Sequence, residues 1–87
     1  INIPALVNQT AKLWEKYYKK GRARTEADLG TKRAVMFVEG FPEFPAELRE
    51  TVTGYLYGAL DLTGVKNVKI TQDTTDPQSW KWIVTWA

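Results

Sequence analysis

The sequence predicts an α+β domain, a small and mostly antiparallel sheet with a C-terminal hairpin, covered by two helices. Three patterns carry that prediction. An amphipathic stripe runs through the first twenty residues, a second follows Pro45, and Trp80, Trp82, Val84 and Trp86 alternate with Lys81, Ile83 and Thr85. A recurrence near 3.6 marks a helix, and a period of 2 marks a half-buried strand.

The first helix is expected over residues 3–20. Asn2 before Ile3-Pro4 offers an N-cap with proline in the first turn. Val7, Ala11, Trp14 and Tyr18 recur at spacings of 4, 3 and 4, with Leu6, Thr10, Leu13 and Tyr17 alongside. Lys19-Lys20-Gly21 supplies cations at the negative end of the dipole and a glycine for the cap. Residues 21–33 are polar without a sustained period and read as a loop. Ala34 to Val38 is apolar on both faces and too short for a helix, so it reads as a central or well-covered strand.

Gly40-Phe41-Pro42-Glu43-Phe44-Pro45 breaks the chain. Pro45 can open a second helix, whose stripe is Leu48, Val52, Tyr55, Leu56, Ala59 and Leu60, with Gly64 ending it. Val68 and Ile70, alternating with Lys69 and Thr71, suit a strand buried on one face. Asp-Pro in the connector 73–79 signals a turn before the final strand at 80–86. The expected order is therefore α-β-α-β-β. The last two strands form an antiparallel hairpin, and the strand at 34–38 joins the sheet through the helix crossover.

Composition narrows the functional classes. Eighty-seven residues hold one domain, and the start at Ile1, not Met, suits a piece of a larger protein. Hydrophobic content of 44% with 25% charge argues for a folded chain. No Cys means no disulfide, thiolate nucleophile or thiolate metal site, and no His removes the commonest general base and zinc ligand. No cofactor is called for. No apolar run approaches the roughly 20 residues of a membrane span, and a cytoplasmic setting fits.

Four features invite a functional reading. Gly54 and Gly58 lie four apart within the second helix, each costing about 1 kcal/mol against alanine. Their bland reading is tight packing on the sheet or first helix. The sharper one is a contact between subunits or a ligand groove, flanked by Tyr55 and Tyr57. Trp80, Trp82 and Trp86 share one strand face, either as core or as the lining of a cavity or interface. Seven of the twelve cations fall within residues 16–33. Of these, Lys16, Lys19, Lys20, Arg22 and Arg24 beside Trp14, Tyr17 and Tyr18 could serve nucleic acid, although a solvated helix end accounts for most of the cluster. The acidic set Glu39, Glu43, Glu47 and Glu50 reads mainly as dipole-favoured charge at a helix start, not as a catalytic pair.

The run Gly54-x-x-x-Gly58-x-Leu60-x-x-x-Gly64, followed by Val68, Ile70 and the 80–86 strand, resembles the C-terminal half of 4-vinyl-reductase-like domains. That superfamily includes the TRAPP tethering subunits and the haem-nitric-oxide-binding-like fold, and an uncharacterised myxobacterial paralogous domain family is similar. The likeness covers about residues 34–86. It implies a regulatory sensor or interaction domain, often dimeric, with an apolar small-molecule cavity in some members. The cysteines and the axial histidine of some relatives are missing, so neither a cysteine-bound metal nor ligated haem carries over. The expectation is a non-enzymatic sensor or protein-interaction domain acting as a homodimer or beside a neighbouring domain. Nucleic-acid binding through the basic cluster is the alternative.

Overall fold

Two helices lie on one face of a four-stranded antiparallel sheet in the computed structural model, which describes residues 3–28 and 30–87. The elements are α1 (Ile3–Tyr17), β1 (Arg22–Asp28), β2 (Arg33–Glu39), α2 (Ala46–Asp61), β3 (Lys69–Asp73) and β4 (Ser79–Thr85). The sheet order is β1-β2-β4-β3. Because β2 and β3 both run antiparallel to β4, they are parallel to each other with β4 between them, and α2 spans that gap. None of the described helices is long and apolar enough to cross a membrane.

The α+β class, the two helices and the closing hairpin are as the sequence predicts. The expected loop over 21–33 is corrected: Arg22–Asp28 is an edge strand paired with β2 along its whole length. Its alternation is Ala23 and Thr25 toward α1 against charged Arg22, Arg24, Glu26 and Asp28 on the other face. No large apolar residue marks it, so pairing and not burial makes it a strand. The first helix also stops earlier than expected, at Tyr17, and the Asn2 cap lies outside the described residues. The Tyr18 amide still donates to the Trp14 carbonyl at 2.8 Å, after which Gly21, at φ 72°, turns the chain into β1.

Pro45 occupies the N-cap of α2 without a side-chain cap bond, and its carbonyl accepts from the amides of Leu48 and Arg49. Gly64 follows the C-cap residue Leu62 at φ 72°, as a left-handed terminator should.

The core sits between the layers. Cross-strand pairs Val38–Trp80, Met36–Trp82 and Ala34–Val84 point up at Val7, Ala11 and Trp14 of α1 and Val52, Leu56 and Leu60 of α2. Trp82 is 1% exposed. The sequence reading of the indole ladder as core is right for Trp80 and Trp82, whereas Trp86 follows β4 and is half-buried.

Close packing of Gly54 and Gly58 on the sheet or on α1 is overturned. A Cβ built on either meets nothing within 4 Å, and both are exposed on the outer ridge of α2. The glycine that does enforce a close approach is Gly21, where a Cβ would stand 2.7 Å from the Glu39 carbonyl oxygen. Urea unfolding should therefore separate the three sites. Gly21→Ala should cost about 2 kcal/mol or more, while Gly54→Ala and Gly58→Ala should each stabilise by about 0.5–1 kcal/mol. A neutral Gly21→Ala would contradict this packing.

Candidate functional site

The C-terminal half of α1 lies beside the N-terminal half of α2, and between them a half-open cleft of about 190 Å³ reaches down to Met36. Leu13, Trp14, Tyr17 and Tyr18 form one wall, and Leu48, Thr51, Val52 and Tyr55 form the other. The lining is almost wholly apolar because its two threonines spend their hydroxyls locally. Thr10 Oγ1 donates to the Leu6 carbonyl at 3.1 Å, and Thr51 Oγ1 donates to the Glu47 carbonyl at 3.0 Å. Each leaves a short side chain where a larger one would close the space.

Stacking fixes the α1 wall. The Trp14 ring lies 4.2 Å from Tyr18 and 4.8 Å from Phe44 on near-parallel planes. Its Nε1 is buried with no hydrogen-bond partner among the described residues. Tyr17 and Tyr55 stand at the mouth, 68% and 51% exposed. Lys12 and Lys16 are exposed beside Leu13 on the α1 rim. Glu47, one turn before Thr51, is exposed on the α2 rim.

The structure scatters most of the residues expected at a site. Tyr55 belongs to the cleft, but Tyr57 lies on the other flank of α2, where its hydroxyl accepts from the Ile70 amide at 3.1 Å. Trp80 Nε1 donates to the Phe41 carbonyl at 2.7 Å, and Trp82 Nε1 donates to Thr53 Oγ1 at 3.0 Å, so both indoles are satisfied core members and neither lines the cleft. Trp86 packs against the core edge, and its amide donates to the Lys32 carbonyl.

The basic cluster is also divided. Lys16 belongs to the helical layer, and Lys19 and Lys20 follow its end, whereas Arg22 and Arg24 lie on the helix-free face of the sheet. Two of the five are engaged: Lys20 pairs with Glu43 at 3.3 Å, and Arg24 pairs with Glu39 at 2.8 Å and with Glu26. The hydrogen bonds that Arg24 donates to Glu39 and then to Glu26 raise its pKa, so this guanidinium is a fixed charge. It lies 3.8 Å over the Phe37 ring, with Lys81 on the same ring at 5.8 Å. That explains why Phe37 is buried on a face that no helix covers.

Sequence reasoning placed Leu48 and Val52 on a helical stripe but missed the cleft they build with Leu13, Thr51 and Met36. The available signal was the pair of short residues, Thr10 and Thr51, at the margins of two apolar stripes. A scan against models of known protein families gives no match, and a search of curated proteins finds none.

Two further predictions follow from the bonding. Thr53 Oγ1 accepts from Trp82 Nε1 and from Gln72 Nε2, at 3.0 and 2.8 Å. Thr53→Val should leave the buried indole N–H unpaired and cost about 1–3 kcal/mol in chemical denaturation. A loss near zero would remove that bond from the account. At the hairpin, the Thr75 hydroxyl and then its amide hold the Asp73 carboxylate below its ordinary value of 3.8. A depressed folded-state pKa means that its stabilisation is complete above the ordinary value and is lost as pH falls through the depressed one. Carboxyl NMR titration should find Asp73 below 3.8 and moved upward by Thr75→Val; an Asp73 value unchanged by Thr75→Val would discard this cause.

Proposed function

We propose that this chain is a non-enzymatic protein-interaction domain whose α1–α2 cleft receives an aromatic or large aliphatic side chain of a partner. The observation that carries the reading is the cleft itself: an apolar hollow with a clamped indole wall and exposed tyrosines at its mouth. Interface hot spots have this composition, with aromatic groups around a desolvated pocket. Its lining threonines donate to backbone carbonyls, and among the described residues no carboxylate, lysine or arginine stands beside its tyrosines in the lining.

Size favours a side chain over a larger ligand. About 190 Å³ falls below the roughly 300–1,000 Å³ typical of small-molecule sites. A sensor role, as the glycine-helix resemblance implies, would then work through association and not through enclosure of a ligand. The nucleic-acid alternative gains no support from a basic cluster split between two layers, with Arg24 and Lys20 already in ion pairs.

The test uses p-cresol as a surrogate for a tyrosine side chain, titrated by NMR into dilute protein. Binding on the order of millimolar is expected, with shifts centred on Leu13, Trp14, Leu48, Val52 and Tyr55. Thr51→Phe should weaken it roughly tenfold, as a ring fills the mouth, while Thr71→Phe on the opposite sheet face should leave it unchanged. Shifts centred on the sheet face would refute the reading, as would strong salt-dependent binding of oligonucleotides with none of p-cresol.

A further inference from the structure

Hole and knob occur together on this surface. The cleft is sized for about one aromatic side chain, and Tyr17, 68% exposed, stands at its own rim. A two-fold interface requires a patch that complements itself, each surface feature meeting its counterpart on the other copy. We propose that the occupant of the cleft is a second copy of this chain, docked about a two-fold axis running along the cleft, so that Tyr17 of each copy enters the cleft of the other. This rests on the reading of the cleft as an anchoring site for an aromatic side chain.

Charge selects the same arrangement. The α1 rim carries Lys12 and Lys16, and the α2 rim carries Glu47. Among the described residues, none of the three belongs to an ion pair within the chain. A two-fold axis along the cleft exchanges its rims, and so sets the cationic rim of one copy over the acidic rim of the other, twice. Lys16 and Glu47 lie toward the same end of the cleft, which Lys20 and Glu43 tie together at 3.3 Å. The exchange therefore brings Lys16 of one copy to the level of Glu47 of the other.

The outer ridge of α2 admits the approach. Gly54 and Gly58 continue the ridge of Glu47 by helical spacing, and a Cβ at either would meet nothing. Leu62, the C-cap residue of α2, is 86% exposed and adds apolar surface at the far end of that helix.

Sedimentation of the chain over a concentration series tests the arrangement. A dimer with a dissociation constant on the order of micromolar is expected, weakened by added salt. Lys16→Glu and Glu47→Lys should each loosen it roughly tenfold or more, because each sets like charges together twice. An equimolar mixture of the two variants should form a heterodimer as tight as the parent, since both contacts again join opposite charges, one with its signs exchanged and the other as in the parent. Tyr17→Ala should loosen it as well, and circular dichroism of all three variants should match the parent, because each side chain is exposed. A dimer indifferent to both charge reversals overturns the proposal. A chain that stays monomeric but still takes p-cresol in the cleft overturns the second copy as occupant and leaves the interaction reading standing. A monomer that takes neither removes both.

Discussion

The ring of Phe44 stands where both helices meet the central strands. It stacks on Trp14 at 4.8 Å and on Phe41 at 5.0 Å, tilts toward Trp82 at 5.7 Å, and meets Trp80 edge-on at 6.3 Å. Such pairs contribute about 0.5–1.5 kcal/mol each beyond the area they bury. The segment that delivers Phe44 is short and stiff: Gly40 turns at φ 76°, and Pro42 and Pro45 each restrict the phenylalanine before them. Arg49 then locks α2 to it, donating through Nη1 to the Phe44 carbonyl at 2.7 Å while its guanidinium lies 4.5 Å over Trp80. The position of α2 against α1 follows from this plug more than from contacts between the helices.

The cleft is a consequence of that geometry. Phe44 on one side and Tyr18 on the other hold the Trp14 ring, so the α1 wall cannot collapse toward α2. Facing it, Thr51 is too short to span the gap, and its hydroxyl is committed to its own helix. A hollow with one wall of stacked rings holds that wall in place without an occupant, which lowers the ordering cost of filling it.

How much of this could be read from the sequence depended on whether the signal was local. The 3.6-residue stripes of Val7, Ala11 and Trp14 and of Val52, Leu56 and Leu60 located both helices, and the alternation around Trp82 located the last strand, because burial on one face writes itself into spacing. Arg22–Asp28 carried no such mark. Its inner residues, Ala23 and Thr25, are small and only half-buried, and its strand character comes from a neighbour distant in sequence. Gly54 and Gly58 misled for a related reason: a glycine within a helix is silent about whether its bare face meets another backbone or solvent. The cleft was legible only in its parts, since Leu13 and Leu48 read as core stripe until the spacing of two helices is known.

The two faces of the domain use the same chemistry to opposite ends. On the helix-free face, Arg24 lies over Phe37 and is itself held by Glu39 and Glu26, so the ring is capped and the cation neutralised. On the helical face, Lys16 stands 5.7 Å from the Tyr17 ring, but no carboxylate of the described residues pairs with it and the ring remains open. A sheet face whose aromatic is covered, by a cation that is itself already paired, offers little gain at that ring to an incoming surface. A helix face with an uncovered ring, an unpaired cation and a hollow of matching size gains apolar burial and charge pairing together. Association is thereby directed to one side of the molecule, and that direction is set in part by the polar edge strand that completes the other.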